Sequence, residues 1–252
     1  MFQPSVSVSE QSTPYHSYRS DYFIARSDSL AGANDAIAIE KDTRDHWLVR
    51  RWRRERRRRK VGRAYDMALE ITRSLHRVSP GSRILDVGCG SGYIAHHLSA
   101  ILDTRVIGID LNEATEAPID YRRFDGTRFP VETQSLDAVL FCYVLHHAQE
   151  LIALLSEVRR VLRAGGQVTV YEDMPESWWD RLVCGLHDRQ WRNRTGPCTF
   201  QSEAGWRKLF VSAGFEVVTT RSLSRWRNLA HSVRRRIFVL QRENCDGNTH
   251  QQ

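Results

Sequence analysis

The sequence lacks the features that would place a chain across a membrane or in an oxidising compartment. None of its 252 residues lies in an apolar run approaching the roughly 18 residues that a membrane-spanning helix needs. The first thirty residues show no basic start followed by an apolar stretch, so we expect no secretory signal. The five cysteines are odd in number and far apart, which favours reduced thiols over a disulfide framework. We therefore expect a cytoplasmic protein.

Lysine is also scarce, because only three of the 37 basic residues are lysine. The formal net charge of +7 is distributed unevenly along the chain. Residues 50–63 carry ten basic and one acidic group, and residues 177–242 carry 13 and four, whereas residues 80–176 carry eight and 14. The basic excess thus belongs to two flanks of an acidic middle segment, and any partner that it implies must meet those flanks.

Composition and periodicity divide the chain into four segments with one insertion. They are a mobile N-terminal extension (1–41), a basic lead helix (42–79), a main domain (80–242) with an acceptor-side insertion at about 174–214, and a tail (243–252).

Within the main domain, short apolar runs alternate with helical stretches. The runs predicted as strands are 83–88, 105–110, 121–125, 136–143, 167–171, 215–220 and 236–240. The stretches predicted as helices are 42–75, 93–102, 150–162 and 202–213. This alternation predicts an α/β fold of the Rossmann-like, doubly wound type, with a mostly parallel seven-stranded sheet, helices on both faces and an antiparallel hairpin at one edge. Ligands of such sheets bind beyond the carboxyl ends of the strands.

A glycine-rich turn follows the first predicted strand. Asp86 lies two residues before Gly88, and Gly90 and Gly92 follow at alternate positions before a helix begins. The glycines would let the backbone pass close to a ligand, and the helix start offers free N–H groups. A dinucleotide fingerprint requires a glycine at the sixth position, which is Tyr93 here, so the spacing is G-x-G-x-G.

Four further motifs follow this turn in a fixed order. Asp110 ends the second strand, Asp125 stands in the segment 124–130, and the stretches 135–147 and 158–166 follow. With the glycine turn, these motifs resemble those of the class I S-adenosylmethionine-dependent methyltransferases. Five ordered motifs at compatible spacing over about residues 80–173 are stronger evidence for the resemblance than any single motif would be.

The resemblance implies that S-adenosylmethionine is the cofactor. It places Asp86 and the glycine turn at the amino-acid end of the cofactor, Asp110 at the ribose hydroxyls and Asp125 at the adenine amino group. The positions implied to bind the cofactor are Asp86, Gly88, Cys89, Gly90, Gly92, Tyr93, Asp110, Leu111, Asp125, Gly126, Cys142 and His147. Taken alone, either Asp110 or Asp125 would be better interpreted as a strand-end cap, but together with the glycine turn the cofactor role is favoured.

One departure from the family pattern lies between the second and third strands. Only 14 residues separate Asp110 from Asp125, and Pro118 stands among them. A full crossover helix does not fit, so an irregular connection is expected.

The acceptor site is expected outside the middle segment. All seven tryptophans lie outside residues 80–176, in the regions where the family places acceptor specificity. Aromatic rings beside arginine can grip planar or apolar substrates, although a tryptophan can equally fill the core. The adjacent pair Trp178 and Trp179 is the acceptor-binding candidate.

Four side chains near the predicted cleft could act as a general base. Glu172 and Asp173 end the fifth strand, His146 follows the fourth, and His187 lies on the helix after the tryptophan pair. A capping or surface role is the alternative for each. Methyl transfer can also proceed by proximity alone, so no base is required.

A metal site is not expected. Cys184, His187 and Cys198 are the only soft ligands close to one another in sequence, and zinc prefers four. A catalytic thiol is also poorly supported, because Cys89 lies in the glycine turn, where a small side chain suffices.

An arginine-rich run occupies residues 50–60, with Trp47 and Trp52 beside it. A solvated helix face is the favoured interpretation. The second is contact of residues 47–60 with an anionic membrane surface, in which the tryptophans act as anchors. The third is nucleic-acid binding, which is less favoured because no RNA-binding module accompanies the run.

These observations lead to one functional hypothesis with two alternatives. We expect an S-adenosylmethionine-dependent methyltransferase that acts on a small-molecule or lipid-like acceptor in the cytoplasm or peripherally at a membrane. The alternatives are an RNA methyltransferase that uses the arginine-rich run and a non-catalytic partner module that keeps the cofactor pocket. The acceptor, the methylated atom and the oligomeric state stay open.

Overall fold

A computed structural model describes residues 47–223 and 232–242. The N-terminal extension (1–41), the tail (243–252) and Trp226 therefore lie outside the described residues. The chain divides after Arg58 into two compact units. The described part of the first unit, residues 47–58, is helical, and its side chains from 49 to 58 are exposed.

Helices and strands alternate along the chain. In order they are α1 (Trp47–Thr72), β1 (Arg83–Val87), α2 (Tyr93–Leu102), β2 (Arg105–Asp110), β3 (Asp120–Arg123), β4 (Leu136–Cys142), a 3₁₀ turn (Leu145–His147), α3 (Leu151–Val161), β5 (Leu162–Met174), α4 (Trp178–Thr195), α5 (Glu203–Ser212), β6 (Phe215–Leu223) and β7 (Arg234–Arg242). None of these helices is long and apolar enough to cross a membrane.

The strands form one seven-stranded sheet in the order β3-β2-β1-β4-β5-β7-β6. The first five strands are parallel, and β7 runs antiparallel to both of its neighbours, β5 and β6. The predicted fold class and its antiparallel edge are confirmed. The carboxyl ends of β1, β2, β4 and β5 therefore share one edge of the sheet.

Each face of the sheet is covered by its own apolar layer. On one face α1 and α2 contribute Ile71 and Leu98 to a layer with the fully buried Ile84. On the other, α3 and α5 contribute Val158 and Phe210. Burial of these side chains, at roughly 25 cal/mol per Å² of apolar surface, holds the helices against the sheet.

Every strand except β2 differs from its predicted bounds by at least one residue, and β5, β6 and β7 are each at least three residues longer than predicted. The structure starts β5 at Leu162, which pairs with Leu136, and a bulge absorbs residues 163–166 before Gln167 pairs with Ala138. The two glycines at 165 and 166, a pair that typically ends a helix, instead lie in this bulged start of the strand. The third strand ends at Arg123 rather than at residue 125.

The irregular connection expected between β2 and β3 is confirmed. Residues 111–119 form bends and irregular backbone rather than a helix. The backbone N–H of Ala117 donates to the carbonyl of Ser91 at 3.0 Å, so this connection lies against the glycine turn.

Candidate functional site: the cleft at the carboxyl edge

The glycine turn is held against the end of β2 by backbone hydrogen bonds. The N–H groups of Gly88 and Cys89 donate to the carbonyl of Ile109 at 2.8 and 3.0 Å. The N–H of Gly90 donates to Asp110 Oδ2 at 2.8 Å. The turn and the acid of the next strand are therefore one unit, as their roles at a common ligand would require.

Two glycines of this turn are required for different reasons. At Gly88, with φ +70°, a Cβ atom would lie 2.5 Å from a methyl group of Val144, so close packing excludes any side chain. At Gly90, with φ +54°, a Cβ atom would have no protein atom within 4 Å and would project into open space. The turn therefore leaves room for a ligand at Gly90.

Asp86 is a buried acid whose oxygens have no hydrogen-bond partner among the described residues. Its side chain is 1% exposed, and both oxygens are buried. Burial, assisted by the charge of Asp110, raises the pKa of Asp86 to about 8. A buried carboxylate without donors is costly, so this position favours a ligand that brings an ammonium group.

Both carboxylate oxygens of Asp110 accept hydrogen bonds from protein groups. Besides the bond from Gly90, its Oδ1 accepts from the backbone N–H and the side-chain amide of Asn112 at 3.0 and 2.6 Å. Each carboxylate oxygen can accept two bonds, so Oδ2 keeps capacity for a ligand hydroxyl.

Asp125 lies in an exposed loop beyond β3. Its Oδ1 accepts bonds from the N–H and hydroxyl of Thr127 and the N–H of Arg128, which lower the pKa of the carboxyl. A Cβ atom on Gly126 would lie 3.8 Å from Leu111, whose side chain is 61% exposed. The loops after β2 and β3 therefore meet at the same edge.

The other predicted cofactor positions surround the turn. Gly92, with φ +76°, caps the start of α2, and Tyr93 is buried beneath it. Burial raises the pKa of the Cys89 and Cys142 thiols above the ordinary range, so neither is a thiolate at neutral pH.

Glu172 is fully buried and holds the segment after β4. Its Oε1 accepts from the N–H groups of Val144 and Leu145 at 3.0 and 2.7 Å. Its Oε2 lies 2.6 Å from His146 Nδ1. Since both oxygens are occupied by protein groups, the geometry makes Glu172 a positioning residue.

Asp173 faces the opposite side of the sheet and is also buried. Its carboxylate lies 3.3 Å from Arg235 Nε, and both side chains are at most 3% exposed. The guanidinium lies 5.8 Å above the ring of Tyr143. Tyr143 itself has φ +59°, an unusual conformation for a bulky residue. Neither Tyr143, which lies within the motif at 135–147, nor Arg235 is among the site residues predicted from the sequence, because their meeting depends on β7 pairing with β5.

Three histidines lie close together beside the segment that follows β4. His147 Nε2 lies 3.3 Å from His187 Nε2, and the ring of His146 stacks on Phe200 at 4.6 Å between centroids. Burial and the neighbouring His146 and His187 lower the pKa of His147 to about 4, so its ring is neutral at pH 7. The sequence named all three residues for other reasons but did not place them together.

The predicted tryptophan pair starts α4 on the outside of the molecule. Trp178 is 73% exposed, and Trp179 is 39% exposed and donates from Nε1 to the carbonyl of Ser232 at 3.2 Å. Leu182 and Leu186 are also exposed and extend an apolar face at four-residue spacing from Trp178.

The start of α4 is fixed by a capping box. Ser177 Oγ accepts from the backbone N–H of Asp180, whose carboxylate accepts from the backbone N–H of Ser177. Asp180 Oδ1 also accepts from the backbone N–H of Arg234 at 3.2 Å, which ties the helix to β7. The middle of α4 borders an open depression of about 380 Å³ that Cys198 and Phe200 also line.

Comparison with known proteins identifies the family. A family model described as a methyltransferase domain matches residues 54–220. The chain belongs to this family. It is a class I methyltransferase domain, and its cofactor is S-adenosylmethionine.

Curated relatives of this methyltransferase domain resemble it over a part of their length. A sterol 24-C-methyltransferase of Gibberella zeae is 34% identical over 108 residues, which cover 38% of this chain and 28% of the relative. A phthiotriol/phenolphthiotriol dimycocerosates methyltransferase of Mycobacterium ulcerans is 33% identical over 128 residues, which cover 45% of this chain and 47% of the relative. The chain thus spans less than half the length of these relatives.

Solved structures share the fold of the domain. A geranyl diphosphate methyltransferase in complex with S-adenosylmethionine superposes with a TM-score of 0.57 at 16% identity, covering 71% of this chain and 85% of that one. At this identity the likeness concerns the fold.

Proposed function

We propose that the protein transfers a methyl group from S-adenosylmethionine to a small-molecule or lipid-like acceptor. The observation that carries the cofactor site is Asp86, whose buried oxygens lack donors beside the open space at Gly90. In this site the ammonium of the cofactor's amino-acid end pairs with Asp86, and the ribose hydroxyls donate to Asp110. Asp125 lies at the adenine end.

The remaining predicted cofactor residues form the walls of this site. They are Gly88, Cys89, Gly92, Tyr93, Leu111, Gly126, Cys142 and His147. Bound here, the cofactor supplies an activated methyl group on a sulfonium. Because the sulfonium loses its charge as the methyl leaves, the protein's task is alignment in a shielded cleft.

Two of the four catalytic candidates, Glu172 and Asp173, fit this division of labour. Glu172 and Asp173 are occupied by His146 and Arg235, so they hold the cleft in shape. We propose that alignment rather than proton removal by either acid drives the transfer.

The apolar face of α4 supports a lipid-like acceptor. Trp178, Leu182 and Leu186 present exposed apolar surface on a helix whose other side borders the open depression. Two relatives that share about a third of the aligned residues are named for a sterol and for phthiotriol/phenolphthiotriol dimycocerosates. An apolar acceptor would cover this face when it binds.

Transfer of a labelled methyl group tests the proposal. The protein is incubated with S-adenosylmethionine carrying a tritiated methyl group and a cell extract, and the label is followed into organic and aqueous phases. We expect organic-extractable label with the wild type and its loss in Asp110→Ala, with Glu132→Ala, which changes an exposed acid, as the control. Label in RNA would contradict the lipid-like acceptor, and tight cofactor binding without any transfer would indicate a non-catalytic module.

A further inference from the structure

Three histidines from two distant segments converge beside the cofactor cleft. His146 and His147 stand in the 3₁₀ turn after β4, and His187 lies in the middle of α4. One ring nitrogen of each lies within 4.8 Å of those of the other two. Imidazole nitrogen is the commonest metal ligand in proteins, so this cluster has the chemistry of a metal site.

The spacing of the two partly exposed rings matches that of ligands on one ion. His147 Nε2 and His187 Nε2 are 3.3 Å apart. Two nitrogens at about 2.0–2.1 Å from a tetrahedral zinc ion are separated by roughly 3.3–3.4 Å. These two rings would need little movement to share an ion.

The other nitrogen of His147 is held by the protein. His147 Nδ1 lies 3.0 Å from Thr195 Oγ1 and 3.4 Å from Cys198 Sγ. These contacts fix the ring plane and direct Nε2 toward His187. The Cys198 N–H in turn donates to Asp188 on α4 at 2.7 Å, which keeps this support in place.

The third ring, that of His146, has a carboxylate partner at its Nδ1 atom. His146 is 1% exposed, and its Nδ1 lies 2.6 Å from Glu172 Oε2. Its Nε2 is buried and has no hydrogen-bond partner among the described residues. A carboxylate on one nitrogen and an unsatisfied opposite nitrogen is the arrangement that orients a histidine for a metal.

We propose that His146, His147 and His187 bind a divalent transition-metal ion, of which zinc is the best match, through their Nε2 atoms. Three histidines with one open position would leave room for a water or an acceptor oxygen. The expectation of no metal rested on ligands close in sequence, whereas this site joins residues 40 positions apart. It does not depend on the proposed methyl transfer.

Cobalt provides a direct readout, because Co²⁺ bound by nitrogen ligands in a tetrahedral site absorbs visible light. The full chain is treated with a chelator, freed of it and titrated with Co²⁺. We expect a saturable visible spectrum at one ion per chain, which zinc then displaces. The change His187→Gln should weaken binding at least tenfold, and its thermal melting shows whether the variant folds. His76→Gln, which changes an exposed histidine outside the cluster, should bind as the wild type does.

A second variant tests the partner behind His146. Glu172→Gln should lower metal affinity about 10- to 100-fold if the carboxylate orients the ring. If this buried variant does not fold, His187→Gln decides the matter. The proposal fails if the wild type shows no saturable spectrum, or if His187→Gln folds and binds Co²⁺ as tightly as His76→Gln. Since cofactor affinity is measured separately, such a failure leaves the methyltransferase assignment untouched.

Discussion

Two residues at the carboxyl edge, a glycine beside open space and a buried acid without donors, point to a ligand. Gly90 adopts φ +54° beside open space, and Asp86 buries two oxygens that no described protein donor satisfies. The unsatisfied buried acid costs stability in the protein alone, whereas glycine adopts a positive φ without strain. A cofactor that fills the space and donates to the acid offsets that cost.

Gly90→Ala tests the open space. Its Cβ atom would project into the volume assigned to the cofactor, so we expect S-adenosylmethionine affinity to fall at least tenfold. The matched control is Gly81→Ala, because Gly81 also has a left-handed φ (+84°) and no neighbour within 4 Å. Both variants should lose roughly 1–2 kcal/mol of stability through backbone strain. Calorimetric titration and thermal melting separate the two effects, and equal cofactor affinities would contradict the assignment.

Asp86 should couple cofactor binding to pH. With its pKa raised from 3.8 to about 8, the acid is protonated in the free protein at neutral pH, whereas the ammonium of the cofactor favours the carboxylate. Binding below about pH 8 should therefore release a proton, and affinity should rise up to tenfold per pH unit toward that value. Titration calorimetry in buffers of different ionisation enthalpy measures the number of protons released on cofactor binding.

The raised pKa of Asp86 also makes the stability of the cofactor-free protein depend on pH. Between about pH 4 and pH 8 the unfolded chain has ionised this acid while the folded chain keeps the proton. Stability without cofactor should therefore fall as pH rises through this window. In Asp86→Asn both dependences should disappear, and a proton release that persists in this variant must come from another group.

At the scale of elements, local periodicity predicted most of the sheet. The second strand and the first helix of the main domain match the predicted bounds 105–110 and 93–102. The long start of β5 was missed because two glycines are typical of a stop, and only pairing with β4 shows that the chain bulges there. Similarly, the meeting of His147 with His187 depends on where α4 packs, which no local pattern encodes.

The exposed face of α4 carries a prediction about the acceptor. In a variant with Trp178, Leu182 and Leu186 all changed to Ser, apolar contact with the acceptor is lost while the cofactor residues are untouched. Because one fully buried large apolar side chain contributes about 1.5–3 kcal/mol, we expect the acceptor KM to rise at least tenfold at unchanged cofactor affinity. Val211→Ser, an equally exposed change on α5, is the control. An unchanged KM would place the acceptor elsewhere.

At the scale of the whole molecule, the net charge of +7 and the chemistry of the cleft belong to different parts of the chain. The groups assigned to the cationic cofactor are acids at the carboxyl edge, whereas ten of the basic residues lie in the segment 50–63. From 49 to 58 the side chains are exposed, and Arg56 lies 5.3 Å above the ring of Trp52. Salt screens exposed charges, so any electrostatic contribution of these arginines to cofactor binding should weaken as ionic strength rises.

Neutralising Arg56, Arg57, Arg58 and Arg59 with Gln tests this separation. We expect unchanged cofactor affinity and a change in stability within about 0.5 kcal/mol per site, because exposed changes away from buried networks cost little. Co-sedimentation with anionic and neutral vesicles, and with RNA at two salt concentrations, then assigns the run. Equal behaviour of variant and wild type identifies a solvated helix face. If the variant loses binding to anionic vesicles but not to neutral ones, the run contacts lipid. If it loses salt-sensitive RNA binding, an RNA substrate is favoured over the lipid-like acceptor.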